Sequence, residues 1–252
     1  MFRLFRQIRQ VSISRNSFSK YFLYAVGEIL LVVVGILIAL QINDWSEVRK
    51  DRREEIELLQ NITNNLQSDI HQIERITKAT KNRLTTLDST VAMLRTPERM
   101  DTAQFFQNAF AFGVDSYFTC NSGIFDEAVS SGKMSLIQDN ELSEDLFRYY
   151  QNAKENLQDG TTRKVTDETV TPRVIEHVFL NKTAQRISNS LFADIMELEE
   201  MDFKALRSNK DFWIMYSTKN GYNTYQLMTW QGLSKAAKEL QINIKKELKK
   251  LE

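Results

Sequence analysis

From Ile29 to Leu40 the chain reads ILLVVVGILIAL, without one polar side chain. No other stretch constrains the fold as strongly. Extended to residues 21–42, the segment carries a single charge, Glu28. A bilayer's hydrocarbon core of about 30 Å takes roughly 20 helical residues, and the length fits. Tyr21, Phe22 and Tyr24 stand at one end and Trp45 at the other, where an interfacial aromatic belt would place them. A buried helix of a soluble protein would need a second segment of comparable hydrophobicity to cover it, and the sequence offers none. The reading is a transmembrane helix over residues 21–44. The basic arm before it is long for a signal peptide, and Ala39-Leu40-Gln41-Ile42-Asn43 gives no small-x-small cleavage site, so a retained signal anchor is expected.

Residues 1–20 form a basic arm with Arg3, Arg6, Arg9, Arg15 and Lys20 and no acid. Beyond the apolar run stand Arg49, Lys50, Arg52 and Arg53. Counting Lys and Arg alone, the bias places the N-terminus in the cytoplasm and the larger part across the membrane. Phe2, Phe5 and Ile8 alternate with Arg3, Arg6 and Arg9. As a helix, this arm would lie among lipid headgroups, with Arg3, Arg6, Arg9 and Lys20 as contacts. As an unstructured tail it would only enforce orientation, and both readings stand.

Gly27, Leu31, Gly35 and Ala39 recur every four residues, a smooth face along which helix backbones approach closely. Glu28, seven residues before Gly35, borders it. A carboxylate in hydrocarbon costs roughly 2.5–3.5 kcal/mol at a helix centre on insertion scales, so it needs a partner or an exit. Glu28 either snorkels or pairs with Lys20, or it meets other subunits at an assembly face made of Gly27, Glu28, Leu31, Gly35 and Ala39.

Residues 45–252 read as one helical domain. Only 2 Pro and 8 Gly punctuate 252 residues, too few for an all-β chain. Trp45 to Leu94 contains neither. Leu59, Ile62, Leu66, Ile70, Ile73, Ile76, Leu84, Leu87, Val91 and Leu94 recur at steps of three and four, with one gap around Thr80. That is a coiled-coil or long-bundle seam. Thr96-Pro97 ends it. Asp101 and Gln104 form a capping-box pattern before Phe105, Phe106, Phe110 and Phe112. Gly113 to Cys120 reads as an irregular link. A helix ending at Gly132, a turn at Met134, and a helix capped by Asp139 or Asn140 follow. Gly160 marks a candidate break, or the helix runs on to about Leu180 with a kink at Pro172, and 181–202 reads as a loop with a short helix. Asp211 to Leu251 is a last long helix, its apolar line passing through Phe212, Met215, Tyr222, Leu227 and Trp230. The expected fold is all-α. One N-terminal transmembrane helix continues into a coiled-coil stalk, with shorter helices packed between two long antiparallel ones.

Chemistry is sparse. Lys+Arg 33 and Asp+Glu 33 cancel, so no basic field draws nucleic acid. Cys120 is the sole cysteine, which excludes an intrachain disulfide and a cysteine zinc cluster. His71 and His177 lack metal-ligand spacing. Ser130-Ser131-Gly132-Lys133 matches no nucleophile or phosphate motif and reads as a helix end. No catalytic, cofactor or metal residues are expected.

Two blocks carry a resemblance. GEILLVVVGILIALQINDW at 27–45, after an FRxIRQ arm, and SSGKMSLIQDNELSEDLFRYY at 130–150 resemble an uncharacterised family of single-pass membrane proteins of Bacteroidota. The resemblance implies an inner-membrane protein with a periplasmic helical domain and no stated activity. The expectation is a non-enzymatic envelope protein that contacts lipid, oligomerises, and scaffolds or accompanies another envelope complex. The alternative is a periplasmic sensory or ligand-binding module signalling through a partner chain.

Overall fold

The computed structural model describes residues 18–188 and 198–251; the arm residues Arg3, Arg6 and Arg9 and the Lys20 side chain lie outside the description. Most of the described residues are helical, and there is no strand among them. Two compact units divide the chain, residues 1–55 and 56–252.

Helix α1, Phe18–Met93, runs 76 residues without interruption. The absence of Gly and Pro after Gly35 removes any local reason to break it. Its part in the first unit carries the apolar run. Every side chain described from residue 26 to 50 is exposed.

The second unit is a bundle around α1 and the 42-residue α9, Lys210–Leu251. Between them lie α2 (Thr102–Ala109), α3 (Gly123–Ser130), α4 (Asn140–Glu155), α5 (Leu157–Val165), α6 (Thr171–Val174), α7 (Lys182–Ile187) and α8 (Phe203–Ser208). The long helices are antiparallel. Tyr216 meets Asp88, Lys238 meets Glu74, and Gln241 meets Gln67, so one index rises as the other falls.

Local chemistry sets the boundaries. Asp101 caps α2 by accepting the Gln104 N–H at 3.0 Å, but the Gln104 side chain turns forward to Asn108, leaving the box half made. Gly132, at φ 76°, takes the left-handed position after α3 that a Cβ would strain. Asp139, not Asn140, caps α4, accepting the Leu142 N–H at 3.0 Å.

The helix break expected at Gly160 falls earlier, at Asn156 (φ 14°, ψ 53°), and Gly160 sits inside α5. Pro172 does not end its helix. Its missing N–H and its ring are accommodated in α6, between two widened π segments, Thr166–Val170 and Ile175–Phe179. In these, i+5 bonds such as Leu180 N–H to Ile175 O (2.8 Å) replace the α ladder.

Apolar packing forms two clusters. One gathers Leu59, Ile62, Leu66 and Ile73 of α1 with Leu146 and Tyr150 of α4 and Trp230, Ala237 and Ile244 of α9. The other gathers Leu87 and Leu94 with Phe105, Phe112, Val174, Phe212 and Met215. Each fully buried Leu, Ile or Phe contributes about 1.5–3 kcal/mol. Between the clusters both long helices turn polar: Thr80 and Arg83 on α1, and Lys219, Asn223 and Gln226 on α9, are all buried.

Candidate functional site

Two features of the molecule exceed what a plain helical bundle needs. The first is the apolar face of α1. Gly27, Glu28, Leu31, Gly35 and Ala39 are all exposed, and none of the helix's most apolar window is buried within the protein. A Cβ placed on Gly27 or Gly35 meets nothing within 4 Å. Nothing else in the described chain approaches these glycines closely.

The second feature is the polar layer in the second unit, built on three buried aspartates from three elements. Each one holds part of the link between Gly113 and Gly123. A link under a bundle must satisfy its own backbone groups, and side chains do it here.

Asp69, on α1, accepts the Asn121 N–H at 2.9 Å, the Tyr149 hydroxyl at 2.8 Å and the Cys120 thiol at 3.6 Å. Burial lifts its carboxyl above the ordinary aspartate range, and these three donors pull the other way. The same burial, with Asp69 alongside, pushes the Cys120 thiol up to about 12 and raises the Tyr149 phenol.

Asp159, on α5, accepts the Phe118 N–H at 2.7 Å, Gln226 Nε2 at 2.7 Å, Asn156 Nδ2 at 2.8 Å and Trp230 Nε1 at 3.2 Å. Four neutral donors surround one carboxylate. Gln226 also donates to the Ser116 carbonyl at 3.1 Å, so the same amide ties the link to α9.

Asp115 belongs to the link itself. Its side chain is 1% exposed, and Lys219 Nζ, 0% exposed, lies 2.8 Å away. Arg83 stands at 3.7 Å, and Asn223 Nδ2 and Thr166 Oγ1 donate at 2.8 and 2.5 Å. Arg83 further reaches Ser116 Oγ at 2.8 Å and Thr80 Oγ1 at 3.2 Å. Burial pulls the Lys219 ammonium down to about 8, against the opposing pull of Asp115. Desolvation lowers Arg83 as well. A lysine lowered in this way has the acid–base character of a catalytic amine. Its position argues otherwise: the side chain is sealed, and it lines neither of the two clefts that open between α1 and α9. The layer's chemistry is bracing. It fixes the link to α1, α5 and α9: Asp115 is paired with Lys219 and Arg83, and Asp69 and Asp159 are each held by several hydrogen-bond donors.

The apolar spacing of α9 puts its inward line through Tyr222. The structure carries it through Lys219, Asn223 and Gln226, with Tyr222 half-buried. The signal for the layer was the gap around Thr80, where the apolar seam of α1 pauses opposite these polar residues. Asp69, Asp115 and Asp159 carried no motif. Among the described residues, no group of three or more His, Cys, Asp or Glu is placed to hold a metal ion.

These features define an all-helical bundle domain whose first helix has a stretch long and apolar enough to cross a membrane. A model for a family of unknown function (DUF6090) matches residues 28–160, and the chain belongs to that family. No curated protein and no solved structure matches it. The matched stretch opens at Glu28 and closes just past Asp159, so it takes in the apolar run Ile29–Leu40 and all three bracing aspartates.

Proposed function

We propose that this is a non-enzymatic, single-pass protein of a Bacteroidota inner membrane. Its N-terminus is cytoplasmic and its helical domain periplasmic. It oligomerises through Gly27, Leu31, Gly35 and Ala39, with Glu28 at the margin, and scaffolds or accompanies a larger envelope complex. One observation carries the reading: the apolar stretch of α1 is exposed along its whole length, so its cover comes from outside the described chain. Lipid can supply that cover, but lipid makes no use of two glycines and an alanine in line, whereas a second helix does. The saturated bonding of the buried carboxylates is consistent with a domain built for rigidity rather than turnover.

Mass measurement of the detergent-solubilised full chain tests the assembly. An oligomer for the wild type, dissociating in Gly35→Leu, is expected. A strict monomer, or an oligomer indifferent to that substitution, would refute it. Protease protection of a C-terminal tag in intact spheroplasts tests the orientation.

A further inference from the structure

Two clefts follow one another along the seam between α1 and α9. The first, about 630 Å³, is lined by the buried Ile73 and by Ile242, whose side chain is exposed. Its rim carries Lys78, Lys81, Lys235 and Lys238 against Glu74 and Glu239. The second, about 440 Å³, is walled by Trp213 and Tyr216 and flanked by Arg95 and Arg207, with Asp88 as its one carboxylate. Its walls are fixed. Trp213 Nε1 donates to the Arg207 carbonyl at 2.8 Å, and the Tyr216 hydroxyl donates to Asp88 at 2.7 Å. The indole therefore stands with part of its ring in solvent and little freedom to turn.

Together the two clefts carry six cations and three carboxylates, in a chain whose charges balance overall at 33 and 33; Lys238 lies 3.2 Å from Glu74 and Lys235 3.9 Å from Glu239, and Lys78, Lys81, Arg95 and Arg207, against Asp88, make up the excess. From Ile73 to Arg95 the seam runs about 33 Å at the helical rise, the length of a helix of about 20 residues.

Building on the partner-binding function above, we propose that this seam docks an acidic amphipathic helix of a partner protein. Carboxylates of that helix would meet the lysine rim, and an aromatic or aliphatic side chain would enter the Trp213–Tyr216 cleft. Charge decides the occupant. A second copy laid antiparallel on the same face, with its two-fold axis at this rim, would crowd the Lys78, Lys81 and Lys235 groups of both copies together, and like charges in contact oppose such pairing. An acidic helix turns the same field into attraction, and an aromatic socket with flanking arginines is the kind of anchor point on which interfaces concentrate their affinity.

The test uses the full chain in zwitterionic-lipid nanodiscs. The probe is a fluorescent helical peptide of about 20 residues, with Leu at three-and-four spacing and Glu elsewhere, compared with a sister peptide in which Gln replaces Glu. The Glu peptide should bind at least about tenfold tighter than the Gln peptide and weaken as salt is raised. The variant Lys78→Glu/Lys81→Glu/Lys235→Glu, all on the rim, should lose about tenfold or more. Trp213→Ala should weaken both peptides while leaving the salt dependence in place. No binding of the Glu peptide, equal affinity for both peptides, or indifference to the triple reversal would overturn the proposal. So would cross-links joining Lys81→Cys residues of two copies across this face. Gly35→Leu separates this idea from assembly: peptide binding that survives a monomeric chain keeps the seam and removes only the oligomer.

Discussion

Asp115→Ala should be among the most damaging single substitutions in the bundle. The carboxylate is the shared counter-charge of two buried cations, Lys219 at 2.8 Å and Arg83 at 3.7 Å. It also accepts from Asn223 and Thr166. Removing it leaves both cations sealed among apolar clusters. Breaking a buried pair by deleting one partner costs about 3–5 kcal/mol, a large share of the roughly 5–15 kcal/mol that holds a typical domain. Lys219→Met should cost less, about 1–2 kcal/mol, because Asp115 keeps Arg83, Asn223 and Thr166. The double variant removes one charge of each sign, so it should be less destabilised than the two single costs summed, by about 2 kcal/mol. Urea unfolding of the full chain in detergent, followed by helical circular dichroism and by fluorescence of the buried Trp230, measures all three. A cost below about 1 kcal/mol for Asp115→Ala, or strict additivity in the cycle, would refute the bracing role.

Other predictions follow from the same geometry. Lys219 titrates near 8 in the fold and near 10.5 when unfolded. The cost of burying its charge is therefore full below about 8 and gone above 10.5, so stability from this group rises with pH across that window. Cys120 works in the opposite direction above its ordinary value of 9. The difference between wild type and Lys219→Met, measured from neutral pH upward, isolates the lysine and should grow with pH; a flat difference contradicts the shift. Cys120, pushed up to about 12, should resist iodoacetamide at mildly alkaline pH in the folded chain and react promptly in denaturant, as read by mass spectrometry. Gly221 and Gly232 lie within α9 with open space where a Cβ would stand, so Gly→Ala at either should stabilise by about 0.5–1 kcal/mol in the same unfolding assay.

The long elements were legible because their signals are periodic and redundant. The α1 seam is buried from Leu59 to Ile73 where the steps of three and four put it, whereas beyond it Ile76, Leu84 and Val91 are half-buried and the inward line passes through Thr80, Arg83, Leu87 and Thr90; the helix ends at Met93, just before Thr96-Pro97. Capping chemistry located α2, the end of α3 and the start of α4 through Asp101, Gly132 and Asp139. Gly160 misled because glycine only lowers helix propensity, by about 1 kcal/mol, and packing overrides that. The alternative, a helix running on to about Leu180 through Pro172, matches the consecutive helical segments from Leu157 to Phe179; the π segments on either side of the proline depend on neighbours no local pattern reveals. The buried charges were illegible for a deeper reason. Lys219 and Asp115 are 104 positions apart, and each looks like an ordinary surface residue until the fold places them together.

Two long antiparallel helices joined by Leu and Ile share a weakness: one turn of such a seam resembles the next. Sliding α9 along α1 by a single turn, about 5.4 Å, would still bury apolar side chains against apolar side chains. It would not keep Asp115 between Lys219 and Arg83, nor Asp159 under Gln226 and Trp230. The charged layer thus works as an index mark on an otherwise repetitive scale. It leaves the pair one low-energy alignment, and it makes sliding a poor way for this bundle to change state.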